Sequence, residues 1–384
     1  MANVRGIFNT SKYESGIKKL DVRDMIFELQ SDETPFISIL GKLGKSKAVD
    51  TEFSWFEDDL LANYTQVNYG AGYDGAATSI VVDDATIFQE NDIVKNMTSG
   101  ECYLITAITD ATNTLTISRA FGSTTAASIV NDDYLYKLGN AQAEAYTAPD
   151  SLVTAKTKKT NFVQIFSKTV TVSETADNVD TWGGNRRNFE RNKKAVELKR
   201  EIESQMVWGE PKEDTSGTHP RRQTGGVYYF MSTTSPSLDM SSHVLTESAW
   251  EGFLKDVFTY SGKDRYAFTG PLILSQISQF ASGKQRLTPE KDATYGISVR
   301  KYISAMGIIN LVLDRHFIGP HAGKALILDV NEIKYRYLQN SDWKLALNIQ
   351  PSNVHYVQDE YSCTIGCEFH QAKLHGHVKG VTAS

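Results

Sequence analysis

The chain has 384 residues, of which 40% are hydrophobic and 22% are charged, and its formal net charge at pH 7 is −6. This balance allows a sizeable core, and the acidic charge argues against a protein whose main work is to grip nucleic acid through its phosphates. The three cysteines do not make a disulfide framework, and no apolar run is long enough to span a membrane. We therefore expect a soluble protein that is made and used in a reducing cytoplasm.

Residues 1–49 are predicted to form an N-terminal arm, which contains a short helix around residues 22–29 that ends before Thr34-Pro35. Phe36 and Ile37 belong to a short apolar cluster in this arm, which must be covered within the chain or by a neighbouring molecule. The arm is followed by a predicted strand, in which Phe53 and Trp55 alternate with polar residues and share one face.

A glycine-rich stretch at Tyr69–Gly75 marks a boundary, beyond which the sequence has an all-β character. The predicted strands are 79–82, 101–109, 114–119 and 134–136. We interpret residues 70–140 as a small inserted β-domain, close to the lower size limit for folding alone. The flanking segments, 50–69 and 141–170, predict a two-stranded ribbon, which needs partners in an assembly to hold it because an isolated ribbon is marginally stable.

A long amphipathic helix is predicted from Arg186 to Trp208. Its apolar residues recur at helical spacing, at Ala195, Leu198, Ile202 and Met206. At about 1.5 Å per residue the helix is about 33 Å long, which suits a spine lying across a sheet, although an ordinary surface helix remains the alternative. Gly209 is placed for the left-handed residue that ends a helix, and Pro211 prevents continuation. Arg187 and Arg191 are interleaved with glutamates, which predicts a solvated or subunit-facing surface.

Beyond residue 245 the pattern indicates mixed helices and strands. Thr246 is a candidate N-cap for a helix through Phe258. Ile308–Leu313 and Ala325–Leu328 are continuous apolar runs, which are typical of strands buried on both faces. Residues 361–378 alternate over a long span, as the strands of a sheet that packs against the central helix would.

Two groups of candidate metal ligands were weighed. Cys363 and Cys367 would lie about 13 Å apart along a strand, too far to share one metal ion. His375 and His377 could bind a metal only with two further ligands. No such ligands are evident, so packed or solvated histidines are favoured.

Enzymatic motifs are also missing from the sequence. Gly44-Lys45-Ser46 is like the end of a phosphate-binding loop, but Ile39 occupies the position of the first glycine that the motif requires. No nucleophile elbow or zinc-protease helix motif occurs. We therefore expect no enzyme, and we assign no catalytic, cofactor-binding or metal-binding residue.

Several segments together are similar to a known family: Glu52–Leu60, Thr160–Phe166 with Val170–Ser173, Ala195–Glu203, 222–226, 267–280 and 327–333. In this order and spacing they resemble the major capsid proteins of tailed phages with the Hong Kong-97-type fold. More narrowly, they resemble the subset that carries a small β-domain in the extended loop. The resemblance covers most of the chain, and its specificity comes from order and spacing, because each motif alone is degenerate.

The resemblance implies an α+β fold built from five parts. These are an N-terminal arm at 1–49, an extended-loop ribbon at 50–69 and 141–170, an inserted β-domain at 70–140, a peripheral domain at 171–237 and 351–384 with its spine helix at 186–208, and an axial domain at 238–350.

The function implied by the resemblance is that of a shell protein. Copies of the chain would assemble as pentamers and hexamers of an icosahedral head that encloses double-stranded DNA, contacted without sequence specificity. Decoration or minor capsid proteins, scaffolding and portal proteins are implied as partners, and no membrane or cofactor is. No long segment precedes the arm, so we expect any scaffolding to be a separate protein. The protein would be made in the cytoplasm of a bacterial host and reside in the virion.

The residues expected to make inter-subunit contacts are Phe36, Ile37, Phe53, Trp55, Arg187 and Arg191. The four apolar residues are chosen because we expect them to be exposed on the arm and the loop. Two alternatives stay open: an encapsulin-like cellular compartment, which shares the fold, and a hydrolase or surface-binding protein. The latter would show a deep pocket with perturbed titratable groups.

Overall fold

The computed structural model describes residues 34–146, 148, 151–179, 186–260, 264–281, 287–292 and 297–383. Residues 1–33, most of the predicted arm, lie outside the described residues. The chain divides into two compact units: a larger unit, which comprises the chain up to Trp55 and from Lys159 onwards, and a smaller unit, Phe56–Lys158. None of the helices in the described part of the chain is long and apolar enough to cross a membrane.

The α-helices among the described residues all belong to the larger unit. They are α1 (Pro35–Leu43), α2 (Glu174–Asp177), α3 (Arg186–Trp208), α4 (Val227–Met231), α5 (Glu247–Val257) and α6 (Pro271–Ala281).

The strands fall into three groups along the chain. The first group is β1 (Lys45–Ala48) and β2 (Glu52–Glu57). The strands of the smaller unit are β3 (Tyr64–Gln66), β4 (Ser79–Val81), β5 (Asp92–Asn96), β6 (Cys102–Thr109), β7 (Thr114–Ser118) and β8 (Tyr134–Asn140). The remaining strands are β9 (Thr157–Phe162), β10 (Gln164–Ser173), β11 (Lys212–Asp214), β12 (Arg221–Gln223), β13 (Ser237–His243), β14 (Arg265–Thr269), β15 (Leu287–Asp292), β16 (Ile297–Ile303), β17 (Ile308–Leu313), β18 (Ala325–Leu328), β19 (Ile333–Leu338), β20 (Lys344–Ala346), β21 (Tyr356–Phe369) and β22 (Gly376–Val381).

The smaller unit is a six-stranded antiparallel sheet in the order β3-β8-β5-β6-β7-β4. The four strands predicted from the sequence are present as β4, β6, β7 and β8, and β3 and β5 were not predicted. Valines, isoleucines and aromatic side chains form its own core. Glu101 and Arg119 form a buried ion pair at 2.7 Å, and the Glu101 carboxylate also accepts hydrogen bonds from the backbone of Ala120 and Ala127. This ion pair anchors the irregular segment after β7.

Two sheets organise the larger unit. The first sheet runs β1-β19-β21-β10, with β20 also paired to β21, and the second runs β13-β22-β18-β14-β17-β16-β15. β2 and β9 form a separate two-stranded sheet, as do β11 and β12. The tail of the chain is therefore divided, because β21 belongs to the first sheet and β22 to the second.

The helix α3 packs on the first sheet, as the predicted spine should. Leu198, Ile202 and Met206 are buried against β10 and β21, and Ala195 packs partly against the same core. The prediction of a long helix from about Arg186 to Trp208 is confirmed within the described residues. Glu203 on this helix is also fully buried, and the spacing of the helix's apolar residues does not predict that burial.

The second sheet is covered on both faces. Along β14, β17 and β18, Phe268, Val312 and Leu326 belong to the core shared with α3, and the residues between them belong to a second core with α5 and α6. This confirms the prediction that the continuous apolar runs at 308–313 and 325–328 are strands buried on both faces. The predicted N-cap is also confirmed, because Thr246 Oγ1 accepts a hydrogen bond from Ala249 N at 3.3 Å.

Gly209 does not end α3 in the left-handed conformation, so that prediction is wrong. The glycine is required for a close approach of backbones instead. A Cβ at Gly209 would lie 2.5 Å from the carbonyl oxygen of Gln205 and 2.6 Å from that of Thr224. Gly226 N donates to Gly209 O at 2.8 Å, which joins the end of α3 to the start of α4.

The weak motifs of the sequence have structural roles. Lys45 lies on β1 and pairs with Asp342 at 2.7 Å, so Gly44-Lys45-Ser46 leads into a strand and not into a phosphate loop. Cys363 and Cys367 are buried in the core under α3, and burial raises the pKa of each thiol to about 12. His375 is also buried, which agrees with the interpretation of a packed histidine.

Candidate functional site

Phe36 and Ile37 lie in the first turn of α1. The Phe36 ring is 1% exposed and meets the ring of Phe268 edge to face, with 5.3 Å between the ring centroids. Ile37 is partly buried against the same core. Because α1 is amphipathic, its apolar side packs inward, and neither residue forms a free apolar surface.

Phe53 and Trp55 share one face of β2, as the alternation predicts. Both are buried in a small cluster that includes Val163. Trp55 packs on Phe230, with 5.5 Å between the ring centroids. Phe53 lies against Gly366, where an added Cβ would come within 2.9 Å of the ring. The glycine therefore makes room for the aromatic ring.

Arg187 and Arg191 lie one turn apart on α3, and both bind the carboxylate of Asp359 on β21. Arg187 donates to Oδ1 at 2.5 Å and to Oδ2 at 2.8 Å, and Arg191 donates to Oδ2 at 2.7 Å. Asp359 also accepts from Asn348 N at 3.0 Å. Burial favours a higher pKa for Asp359, but the hydrogen bonds from Arg187 and Arg191 outweigh it and hold the pKa well below the usual range.

All six residues expected at subunit contacts are thus engaged within one chain. The structure does not show the exposure that motivated the choice of Phe36, Phe53 and Trp55. Contact of any of the six with a second subunit stays a prediction.

Exposed apolar side chains occur elsewhere in the larger unit, at positions that the sequence reasoning missed. Trp343, Leu345, Leu347 and Ile349 recur at every second position and are each between 36% and 51% exposed. We call these four residues the apolar stripe. β20 lies within it and pairs with β21, and the Trp343 ring lies 5.9 Å from that of Tyr361. The alternation was visible in the sequence, but alternation alone does not tell which face of a strand is left uncovered.

The smaller unit has an exposed aromatic face of its own. Tyr64 on β3 is paired with Tyr136 on β8, and the Tyr64 ring lies 5.8 Å from that of Tyr134. All three rings are exposed, as is Leu138. Tyr134 and Tyr136 occupy alternate positions of β8, and Tyr64 is paired with Tyr136 on the adjoining edge strand, so the three rings share one face of the sheet. An antiparallel sheet of this kind buries one face in its core and leaves the other open to solvent or to a partner.

A cluster of titratable groups lies inside the larger unit. Glu203 on α3 and Asp314 directly after β17 are both fully buried, and His316 is half-buried beside them. One ligand atom from each lies within 4.8 Å of the others. Burial, with the adjacent Asp314 carboxylate, raises the pKa of Glu203 to about 9. None of these residues is singled out by the sequence pattern, because Glu203 lies about 110 residues before Asp314 and His316 in the chain.

The Glu203 carboxylate also caps α1. It accepts hydrogen bonds from Phe36 N at 3.4 Å and Ile37 N at 3.3 Å, whereas the N-cap residue Thr34 makes no side-chain cap. A carboxylate at this end of a helix satisfies free N–H groups and complements the helix dipole. Glu203 therefore joins the spine helix to the first helix of the described chain.

Comparisons with known proteins identify a family and a fold. Residues 5–382 match the family model described as the SU10 major capsid protein. The capsid of an empty GTA particle aligns with 98% of this chain and 100% of that chain, with 10% identity and a TM-score of 0.51. A structure from Mycobacterium phage Bobi aligns with 99% and 100% of the two chains, with 7% identity and a TM-score of 0.51.

An encapsulin complex from Synechococcus elongatus aligns with 59% of this chain and 78% of that chain, with 10% identity and a TM-score of 0.45, a similarity too low to support a conclusion. No curated protein matches the sequence. The family match spans nearly the whole chain, and the GTA capsid and the Mycobacterium phage Bobi structure share its fold over their full length. The chain therefore belongs to the SU10 major capsid protein family and has the Hong Kong-97-type capsid fold.

Proposed function

We propose that copies of this chain assemble as pentamers and hexamers into the closed icosahedral head of a tailed phage, which encloses double-stranded DNA. The match of residues 5–382 to a family of major capsid proteins is the observation that carries this proposal. In a closed symmetric shell, many modest contacts per subunit add up to a stable container. The role is structural, and we propose no catalytic activity.

The parts of the capsid fold are assigned as follows in this proposal. The smaller unit corresponds to the extended loop with its inserted β-domain, and its bounds of Phe56–Lys158 lie within the expected loop at 50–170. The first sheet with α3 corresponds to the peripheral domain. The second sheet with α5 and α6 corresponds to the axial domain, to which β13 and β22 are added because they pair within that sheet.

We propose the apolar stripe as part of the contact between subunits, in addition to the six residues predicted from the sequence. Apolar side chains at alternate positions along one edge form a patch rather than scattered residues, and such patches mark interaction surfaces. A stable interface buries about 1,600 Å² in total, so the stripe supplies one part of a larger contact. The aromatic face of the smaller unit is proposed as a second part.

Electron microscopy of the purified protein tests the proposal, with a double variant, Leu345→Glu and Leu347→Glu, in the stripe. The wild type should form closed shells. The double variant should lower the yield of shells at least about tenfold, because two carboxylates would have to be buried without partners at the contact. Both side chains are exposed in the subunit, so its circular dichroism should not change.

Lys344→Glu is the matched control, since it places the same new side chain one position away on an exposed site of the same strand. It should assemble as the wild type does. Normal shells from the double variant would show that the apolar stripe is not part of the contact between subunits. Failure of the wild type to form any closed particle would overturn the proposal of a capsid shell.

Further partners belong to the same proposal. Scaffolding, portal and decoration or minor capsid proteins would contact the shell, and DNA would be contacted without sequence specificity, in keeping with the net charge of −6. The protein is a component of the virion and would be synthesised in the cytoplasm of a bacterial host. The contents of purified particles separate a phage head, which holds DNA, from an encapsulin-like compartment, which holds protein cargo.

A further inference from the structure

Two carboxylates are buried next to each other at the junction of α1, α3 and the turn after β17. Glu203 and Asp314 are both 0% exposed. Neither forms an ion pair with a lysine or arginine among the described residues, and His316 is the basic side chain beside both. Carboxylates withdrawn from water are strongly destabilised unless a cation or several hydrogen bonds compensate them.

Hydrogen bonds satisfy only some of the carboxylate oxygens in this cluster. Glu203 uses both oxygens to cap α1, and Asp314 Oδ1 accepts from His316 N at 2.8 Å and lies 2.9 Å from His316 Nδ1. The second oxygen, Asp314 Oδ2, is buried and has no hydrogen-bond donor anywhere in the described part of the chain. An unpartnered buried carboxylate oxygen needs an explanation: either a bound cation or a proton held between the two acids, in keeping with the raised pKa of Glu203.

The donor set indicates which cation fits. His316 Nδ1 lies 3.7 Å from Glu203 Oε1 and 2.9 Å from Asp314 Oδ1. Tetrahedral ligands at about 2.1 Å from a zinc ion lie about 3.4 Å from one another, so these two distances differ from that value by only a few tenths of an ångström, and all three ligand atoms lie within 4.8 Å of one another. One imidazole nitrogen with two carboxylates suits Zn²⁺, whereas Mg²⁺ and Ca²⁺ prefer oxygen ligands alone.

We propose that Glu203, Asp314 and His316 bind a zinc-class divalent metal ion inside the larger unit. The ion would neutralise the two carboxylates and fasten three segments together, because Glu203 also holds the first turn of α1. The site is structural and lies within one subunit, so it does not depend on the proposed assembly.

Full-length, untagged protein, freed of metal with EDTA and then of EDTA, is titrated with ZnCl₂ by calorimetry, and its melting temperature is followed in parallel. We expect one tightly bound Zn²⁺ per subunit and a rise in Tm of roughly 5 °C at a hundredfold excess over Kd. MgCl₂ at the same concentration should have no such effect.

Asp314→Asn and His316→Gln are the test variants. Each should weaken zinc binding at least about a hundredfold and abolish the rise in Tm. Asp314→Asn should not lower the Tm of the metal-free protein, because the new amide can donate to Glu203, so loss of zinc binding will not reflect unfolding. His370→Gln is the matched control: His370 also lies between two carboxylates, Glu368 and Glu332, but it faces them through different ring nitrogens, and zinc binding should persist.

Two results would overturn the proposal. One is unchanged zinc binding in both test variants. The other is a wild type that takes up no stoichiometric zinc and keeps its Tm when zinc is added, which would mean that the two carboxylates share a proton instead.

Discussion

Single residues in this protein are positioned by partners that are far away in the chain. Asp359 is nearly inaccessible to solvent, and it is the common acceptor for Arg187 and Arg191. The sequence predicts a solvated or subunit-facing surface for the two arginines, because it shows them only as part of a charged helix. Within the chain, their ion pairs fasten the start of α3 to the first sheet, and because the acceptor is buried, removing one partner should cost more than at an exposed pair.

His375 provides a prediction on pH dependence. Nδ1 accepts from Asp329 N at 3.1 Å and Nε2 donates to His370 O at 3.1 Å, so the ring is neutral. Burial lowers its pKa to about 3, and Asp329, Arg265 and His370 are the charged or titratable groups around it. The unfolded chain takes up a proton near pH 6.5 whereas the folded chain does not. The stability contributed by neutral His375 is therefore present above pH 6.5 and is lost as the pH falls towards 3.

His375→Gln should remove this pH dependence. The stability gap between wild type and variant should shrink by about 2 kcal/mol from pH 6.5 to pH 5, at about 1.4 kcal/mol per pH unit. Urea unfolding at both pH values measures it. His355→Gln changes an exposed histidine and should leave the wild-type dependence intact. A constant gap for His375→Gln would show that His375 is not held neutral.

At the scale of elements, the connection between α3 and α4 depends on Gly209 and Gly226, which have no side chain and so allow the two backbones to approach closely. Gly209→Ala should destabilise the protein by about 2–3 kcal/mol, because its Cβ would lie 2.5 Å from a carbonyl oxygen. Gly252→Ala on α5 is the matched control with the opposite sign. Nothing lies within 4 Å of its added Cβ, and alanine favours a helix over glycine by up to about 1 kcal/mol.

Thermal unfolding of the two glycine variants tests whether Gly209 is required for close backbone packing or whether the end of α3 can adjust to a side chain. A loss of stability in Gly209→Ala with a gain in Gly252→Ala would support close packing at the connection. Equal, small effects would mean that the end of α3 adjusts to a side chain.

On the scale of the whole molecule, each unit has a core of its own. Replacing Phe56–Lys158 with a short glycine-serine turn should therefore leave the larger unit folded, since β2 and β9 pair where the turn would join them. If the smaller unit supplies contacts between subunits, the shortened chain should stay monomeric. Circular dichroism and size-exclusion chromatography measure the two properties.

The smaller unit expressed alone is the companion experiment and should fold by itself. Closed shells of normal size from the shortened chain would show that the smaller unit is dispensable for assembly. A shortened chain that fails to fold would contradict the independence of the two cores.

The sequence by itself determined the local elements of this protein. The spacing of Leu198, Ile202 and Met206 predicted the spine helix, the run at Ile308–Leu313 predicted a strand covered on both sides, and the order of segments indicated the family. These signals are local, because side-chain periodicity depends only on the geometry of one helix or strand. The strands β3 and β5 were missed because short polar segments carry little such periodicity.

Only the tertiary structure decided which faces are covered and which distant residues meet. Phe53 and Trp55 are buried, whereas Leu345 and Leu347 are not, although both pairs lie in alternating patterns that look alike in the sequence. The meeting of Glu203 with Asp314 and His316 was equally hidden, since about a hundred residues separate them. Coverage and long-range contacts follow from how elements pack, and packing depends on the whole chain at once.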